Sequence, residues 1–197
     1  VRIPFCGCKE CEDYIKSEYY YQKAIKINPD NDSAWFGIGL IMWVERKWEE
    51  SIVFIRKALD VDETNPEYWL TLAKVYTDSN KKEKAEKTYR YASRLEPENS
   101  EIWLSWVESL LKFGETENAL RILKSGLKKN SDVALKYRTV SLLMERKKEN
   151  EALAMLEKAM EQDFVQLNYL FDVYPKAIKN KKLQKRIDEY RERNNLK

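Results

Sequence analysis

One spacing constrains this chain more than any other: Trp35, Trp69 and Trp103 lie 34 residues apart. The residues around each tryptophan recur with the same spacing and keep their size class almost everywhere, while the positions between them vary. In the second copy the recurring positions are Trp69, Leu72, Ala73, Tyr76, Ala85, Tyr89, Ala92 and Pro97. The chain is therefore predicted to be a stack of copies of one structural unit.

A 34-residue period with an early tryptophan, small residues at the eighth, twentieth and twenty-seventh places and a late proline resembles the tetratricopeptide repeat (TPR). The resemblance implies an all-α fold, a right-handed superhelical solenoid of antiparallel helix pairs with C-terminal capping helices. Ala73 and Ala92 fit this fold, because small side chains are needed where two helices cross closely.

Composition favours the same fold class without reference to the repeat. The 197 residues include only five Gly and five Pro, 35% of them are charged, and apolar residues do not alternate with polar ones. These features argue against sheets and for helices that keep a solvated face. We therefore expect an all-α protein.

The repeat register divides the chain into six segments. They are an N-terminal Cys-containing segment with a half-repeat helix (1–31), three complete repeats (32–65, 66–99 and 100–133), a degenerate repeat (134–166) and C-terminal capping helices (167–197). In the degenerate repeat the second helix arrives one residue early, and we place the missing residue in the turn from Glu145 to Asn150.

Polar residues mark the predicted helix ends. Helix starts are expected at Asp32 or Ser33, at Asn65 followed by Pro66, and at Asn99 or Ser100, since such residues cap N-termini. Left-handed backbone in the turns within the repeats is expected at Asn80 and Gly114.

The resemblance also implies a binding groove. In TPR proteins the first helix of each repeat, helix A, lines the concave side, and its second, fifth, ninth and twelfth places face the groove. Carried over to this chain, these places give a predicted partner-binding set of Phe36, Leu40, Trp43, Leu70, Lys74, Leu104, Glu108, Leu111, Arg138 and Leu142. The groove would be apolar, with isolated charges at Lys74, Glu108 and Arg138. Trp43 is the tryptophan that the repeat does not require.

An apolar stripe on a protein surface usually marks an interaction site. We therefore expect a non-enzymatic scaffold that binds a peptide or protein segment in the groove. The segment should be apolar or mixed, because Glu67 and Glu101 would repel an acidic tail. The alternative is a structural or self-associating solenoid, including a homodimer, in which the half-repeat, the C-terminal helix or a second copy covers the groove.

Catalytic and metal chemistry is not expected. The chain has no His, no Gly-rich phosphate loop and no nucleophile constellation, so we predict no enzyme activity, no cofactor and no small-molecule substrate. Cys6, Cys8 and Cys11 could meet on one soft metal, but zinc normally takes four ligands and no further Cys or His is present. We expect reduced thiols and no metal site, with a metal-binding module as the alternative.

Positive charge is concentrated at the C-terminal end. Residues 176–197 hold nine Lys or Arg against Asp188, Glu189 and Glu192, although the whole chain carries only +3. We expect the solvated face of a capping helix, with RNA or an acidic surface as the alternative ligand, and no nucleic-acid binding along the repeats.

No apolar run approaches the ~18 residues that a membrane span needs, and no signal peptide is recognised. The chain starts with Val rather than Met, which leaves a further upstream segment open. Three closely spaced cysteines fit a reducing compartment, so a cytoplasmic location is predicted.

Overall fold

Helices make up nearly all of the computed structural model, which describes residues 9–196, with side chains described from Asp13 onward. The described α-helices are α1 Lys9–Ile27, α2 Asp32–Val44, α3 Trp48–Val61, α4 Pro66–Asp78, α5 Lys82–Leu95, α6 Ser100–Lys112, α7 Thr116–Leu127, α8 Val133–Glu145, α9 Glu149–Gln162, α10 Leu167–Val173 and α11 Lys181–Arg193, with a 3₁₀ helix at Pro175–Lys179. No strand occurs between residues 9 and 196, which confirms the all-α prediction. Cys6, Cys8 and the side chain of Cys11 lie outside the described part.

The chain divides into two compact units, unit 1 (Val1–Glu96) and unit 2 (Pro97–Lys197). Unit 1 contains the helix pairs α2/α3 and α4/α5, with α1 packed on α2. Unit 2 contains the pairs α6/α7 and α8/α9, with α10 against α8 and α11 against α9. Each pair consists of an A helix followed by a B helix, as the TPR resemblance predicts.

Small residues lie where the two helices of a pair cross. A Cβ on Gly39 of α2 would approach the Ile55 side chain of α3 to 2.6 Å. At the same crossing, the Ser51 hydroxyl donates a 2.8 Å hydrogen bond to the carbonyl oxygen of Gly39. A Cβ on Gly126 of α7 would lie 2.9 Å from the ring of Trp103. Larger residues at these places would push the helix axes apart.

Asparagine side chains cap successive A helices. Asn65 and Asn99 each accept a 3.0 Å hydrogen bond from the backbone N–H two residues on, as predicted. The cap of α2 is Asn31, which accepts a 2.8 Å bond from the N–H of Ala34. The prediction of Asp32 or Ser33 as this cap is therefore wrong by one or two residues. These residues belong instead to the first helical turn, where Asp32 favours the helix dipole.

One left-handed residue follows each A helix. Asn80 and Gly114 have φ values of 60° and 76°, which confirms the sequence prediction. Arg46 and Lys147 occupy the corresponding turns with φ values of 59° and 57°. Long side chains at these two positions carry a steric cost that glycine does not.

The missing residue of the fourth repeat lies before α8 and not in the turn that follows it. Helix α8 begins 33 residues after α6, whereas α2, α4 and α6 begin 34 residues apart. The turn after α8 is complete, because the N–H of Lys148 bonds to the carbonyl of Leu143 just as Lys81 bonds to Tyr76. The predicted loss between Glu145 and Asn150 is therefore wrong, and the residue is missing from the connection after Leu127.

The burial of α8 explains this error. Ten of its residues are buried, because α6, α7, α9 and α10 all pack against it. A helix that is buried nearly all round shows no polar face from which its phase could be read. The sequence pattern was therefore compatible with either register.

The C-terminal segment caps unit 2. Leu167 and Leu170 of α10 are buried, and Pro175 begins the 3₁₀ helix just after α10 ends. Helix α11 buries Leu183, Ile187 and Tyr190, as its apolar spacing predicts. The Tyr190 hydroxyl donates a 3.0 Å hydrogen bond to the carbonyl oxygen of Met160 on α9.

Candidate partner-binding faces

Side-chain contacts join the two A helices of unit 1 along their length. Near the start of α2, the Tyr68 hydroxyl donates a 2.8 Å hydrogen bond to Asp32. The rings of Phe36 and Tyr68 follow, with centroids 4.5 Å apart. Near the other end, the indole N–H of Trp43 donates a 2.9 Å bond to Asp78. Two of the predicted partner-binding residues, Phe36 and Trp43, therefore also hold α2 against α4.

The Tyr68 hydroxyl is a structural donor at neutral pH. Burial raises its pKa above the ordinary tyrosine value, and the hydrogen bond to the Asp32 carboxylate raises it further. The phenol therefore stays protonated, so the contact between α2 and α4 is kept across the physiological range.

The predicted residues of unit 1 differ in their exposure. Phe36 and Leu70 are buried, with 8% and 6% of their surface exposed. Leu40, Trp43 and Lys74 are half-buried and reach solvent. Leu40 and Trp43 are three residues apart and so share one face of α2, and Lys74 lies at the repeat place of Leu40 on α4. We call Leu40, Trp43 and Lys74 the unit 1 A-helix face.

In unit 2 two of the predicted charges form one ion pair. The Arg138 guanidinium of α8 lies 2.8 Å from the Glu108 carboxylate of α6. The same guanidinium donates to the Ser141 hydroxyl at 3.1 Å and to the carbonyl of Val173, at the end of α10, at 3.4 Å. Arg138 is buried while Glu108 stays exposed. The two charges are therefore paired rather than isolated.

The corrected register changes the fourth repeat's contribution. Arg138 and Leu142 follow from a 34-residue spacing, but the 33-residue spacing puts Tyr137 and Ser141 at those places. Leu142, Tyr137 and Ser141 are all fully buried. On α6, by contrast, Leu104 and Leu111 are half-buried and Glu108 is exposed. We call Leu104, Glu108 and Leu111 the unit 2 A-helix face.

The repeat tryptophans have a role that sequence reasoning missed. The indole N–H of each donates to the carbonyl oxygen six residues earlier: Trp35 to Pro29 at 2.8 Å, Trp69 to Glu63 at 2.7 Å and Trp103 to Pro97 at 2.8 Å. Trp103 is buried, whereas Trp35 and Trp69 are only half-buried. The tryptophans thus fix the loop ahead of each A helix as well as filling the core. Their constant distance from Pro29, Glu63 and Pro97 was the available signal.

Much of the basic charge on α11 is used inside unit 2. Arg186 lies 3.3 Å from the Glu157 carboxylate of α9, Arg193 contacts the same carboxylate, and Lys182 pairs with Glu149. The hydrogen bond from Arg193 holds the pKa of Glu157 below its ordinary value, and Arg186 adds to this effect. These contacts dock α11 on α9, in keeping with the predicted capping role.

The side chains described from Asp13 to Leu196 contain no group of three His, Cys, Asp or Glu placed to hold a metal ion. Within the described residues, no helix has the length and apolar character to cross a membrane.

Comparison with known proteins places the chain in a family. The family model of the Suppressor of forked protein (Suf) matches residues 50–175, which is more than half of the chain. The chain belongs to the Suf family. A search of curated proteins finds no significant match to this Suf-family chain.

Solved structures identify the fold of this Suf-family chain. It is similar to MamA, with a TM-score of 0.65 and 16% identity over 82% of this chain and 95% of MamA. It is also similar to YrrB, described as a TPR protein with an unusual peptide-binding site, with a TM-score of 0.56 and 19% identity over 87% of this chain and 91% of YrrB. A third match is TTC0263, a thermophilic TPR protein of Thermus thermophilus, with a TM-score of 0.57 and 17% identity over 83% and 90% of the two chains. The TPR resemblance is confirmed at the level of fold.

Proposed function

We propose that this Suf-family chain is a non-enzymatic scaffold that binds a peptide or protein segment, with the unit 1 A-helix face as the principal contact. The observation that carries the proposal is that Leu40 and Trp43 reach solvent together on one face of α2, beside Lys74 on α4. Adjacent accessible apolar side chains of this kind usually serve interaction. YrrB, which shares the fold, is described as having a peptide-binding site, and this supports the proposal by analogy.

Trp43 is suited to act as the anchor. Its indole N–H is already bonded to Asp78, so the ring is held in one orientation before a partner arrives. A side chain that is ordered in advance loses little rotamer entropy on binding. Tryptophan is also among the residues that contribute most to interface energies. A bound segment would therefore place an apolar side chain against Trp43 and Leu40.

Charges on the two faces would select complementary residues of the partner. Lys74 favours a carboxylate on the segment that contacts unit 1. On the unit 2 A-helix face, the exposed Glu108 lies between the half-buried Leu104 and Leu111 and favours a lysine or arginine. Its pairing with the buried Arg138 holds the carboxylate in place. Each face would thus bind an apolar residue flanked by one charge.

Self-association is the second candidate function, and helix α1 favours it. Tyr14, Ile15, Tyr19 and Tyr20 are all exposed, and Ile15 and Tyr20 expose 62% and 66% of their surface. Four exposed apolar or aromatic side chains in two helical turns could pack against a second copy. Light scattering over a range of concentrations tests this: a dimer that Tyr20→Lys abolishes would support self-association, and a monomer at all concentrations would exclude it.

A capture experiment tests the scaffold proposal. The double variant Leu40→Gln with Lys74→Glu removes the apolar contact and reverses the charge on the unit 1 A-helix face. Val53→Gln on α3 is a matched control, because Val53 is also an accessible apolar residue of a unit 1 helix, at 52% exposure. We expect the double variant to lose about nine-tenths of the captured partner and the control to lose none. Equal capture by the double variant and the control would contradict the proposal.

A further inference from the structure

Unit 1 contains a cleft of about 500 Å³ between the two B helices α3 and α5. Its floor is formed by Leu59 of α3, by Trp69, Leu72 and Tyr76 of α4, and by Thr88 of α5. None of these residues belongs to the unit 1 A-helix face. The cleft is large enough for one aromatic side chain and part of its backbone.

The preceding repeat shows why the cleft exists. There, Ile38 and Met42 form a core cluster against which Ile25 and Phe54 pack. The residues 34 positions later are Leu72, Tyr76, Leu59 and Thr88, respectively. Three of the four positions keep a large apolar or aromatic side chain, but phenylalanine is replaced by threonine. The cleft thus lies where the second repeat lacks a ring.

The ring that is lacking has a defined position. In the preceding repeat Phe54 stacks on the repeat tryptophan Trp35, with centroids 6.0 Å apart and planes 23° apart. The equivalent tryptophan of the second repeat is Trp69, which lines the cleft and is half-buried. In the third repeat the place of Phe54 and Thr88 is taken by Ile122. Thr88 is therefore the smallest residue at this place in the three complete repeats.

The polar groups of the floor are compatible with an aromatic occupant. The Thr88 hydroxyl is satisfied by its own helix, since it donates a 2.8 Å bond to the carbonyl of Lys84. The Tyr76 hydroxyl is buried and has no hydrogen-bond partner within the structure. A buried hydroxyl without a partner is costly, and an acceptor on an incoming group would relieve that cost.

Positive charge lies on the α5 side of the cleft. Lys84 and Lys87 are both exposed there, and the Lys84 ammonium is 5.8 Å from the centre of the Tyr76 ring. On the α3 side Arg56 is accompanied by the carboxylates of Asp60 and Glu63. An incoming carboxylate would therefore be attracted to the α5 rim.

We infer that this cleft binds an aromatic side chain of a partner segment, next to which the segment carries a carboxylate. The aromatic ring takes the position on Trp69 that Phe54 takes on Trp35, and the carboxylate lies between Lys84 and Lys87. The site is separate from the unit 1 A-helix face, so it stands or falls independently of the proposed function.

A titration with the blocked dipeptide acetyl-Phe-Asp-amide tests the inference. The indole N–H signal of Trp69 in a ¹⁵N–¹H spectrum reports on the cleft. The Trp103 indole is the internal control, because it is bonded to the backbone in the same way but lies in unit 2. We expect a saturable shift of the Trp69 signal at millimolar probe, no shift of Trp103, and binding weakened about tenfold for acetyl-Ala-Asp-amide and acetyl-Phe-Lys-amide. Equal shifts of both indoles, or no saturable shift of Trp69, would overturn the inference.

Two variants test the cleft from the protein side. Thr88→Phe supplies the missing ring from within, so it should abolish the Trp69 shift. Lys84→Glu with Lys87→Glu changes only exposed side chains and should weaken binding about tenfold while the helical circular dichroism is unchanged. Unaltered probe affinity in the lysine double variant would overturn the inference, whether or not the Thr88→Phe protein folds.

Discussion

The indole N–H of Trp43 donates a 2.9 Å hydrogen bond to the carboxylate of Asp78, which lies 35 residues further along the chain. Trp43 is the last aromatic residue of α2, and Asp78 is the final residue of α4. The tryptophan that the repeat pattern does not require thus ties two successive A helices together. The ring that we propose as an anchor for a partner is therefore held in place by the fold itself.

Replacing Asp78 separates the hydrogen bond from the charge. Asp78→Ala removes the acceptor and should cost about 1 kcal/mol of unfolding free energy in this exposed setting. Asp78→Asn keeps an acceptor oxygen and removes a negative charge from the C-terminal end of α4, where the helix dipole disfavours it, so its stability should match or exceed that of the wild type. Urea unfolding measures both, and an Asn variant less stable than the Ala variant would contradict the assignment.

The left-handed turns offer a stabilising substitution. Arg46 and Lys147 are exposed and have positive φ values, so Arg46→Gly and Lys147→Gly should each raise the unfolding free energy by about 1 kcal/mol. Asn80→Gly is the matched control and should change little, because asparagine tolerates this conformation. Chemical denaturation compares the three variants. A loss of stability on replacing Arg46 would show that its turn is not left-handed.

The repeat tryptophans should differ in their contribution to stability. Trp103 is buried, with its ring stacked on Trp106 and packed against Gly126, so Trp103→Ala should cost about 3–5 kcal/mol. Trp35 is half-buried, and Trp35→Ala should cost about 2 kcal/mol. Hydrogen exchange of amides within the affected unit measures each loss. Equal losses at the two sites would contradict the difference in burial.

Acid should loosen the contact between α11 and α9. Because Arg193 and Arg186 lower the pKa of Glu157, their ion pairs stabilise the folded state fully above the unfolded-state pKa of ~4.3. This stabilisation is lost as the pH falls through the lower folded-state pKa. Glu157→Gln should be less stable than the wild type at pH 7, and the difference should vanish in strong acid. Urea unfolding from pH 7 downward checks this, and parallel stability curves would refute it.

The repeat period was sufficient to predict the fold, because it is set by local chemistry. Ala73 and Gly126 mark helix crossings, Asn65 and Asn99 mark helix starts, and Gly114 marks a turn, and each of these signals lies in adjacent sequence. The phase of α8 could not be predicted, because a helix that is packed on all sides carries no polar stripe.

The candidate site was predicted less completely than the fold. The sequence placed Leu40, Trp43 and Lys74 on the A helices, and the structure leaves them accessible. It could not show that Phe36 is covered by Tyr68, or that Arg138 is paired with Glu108, because these contacts join residues on different helices that are far apart in the chain. The exposure of a side chain depends on the neighbouring helix, which a repeat register alone does not describe.

Site-specific photo-crosslinking tests the central claim most directly. A benzophenone amino acid is introduced at position 40 of the unit 1 A-helix face and, in a separate protein, at position 53 of α3, both accessible in the structure. The account predicts that position 40 crosslinks to one defined segment of a partner protein and that position 53 does not crosslink to that segment. Crosslinking of the segment from position 53 with none from position 40 would contradict it.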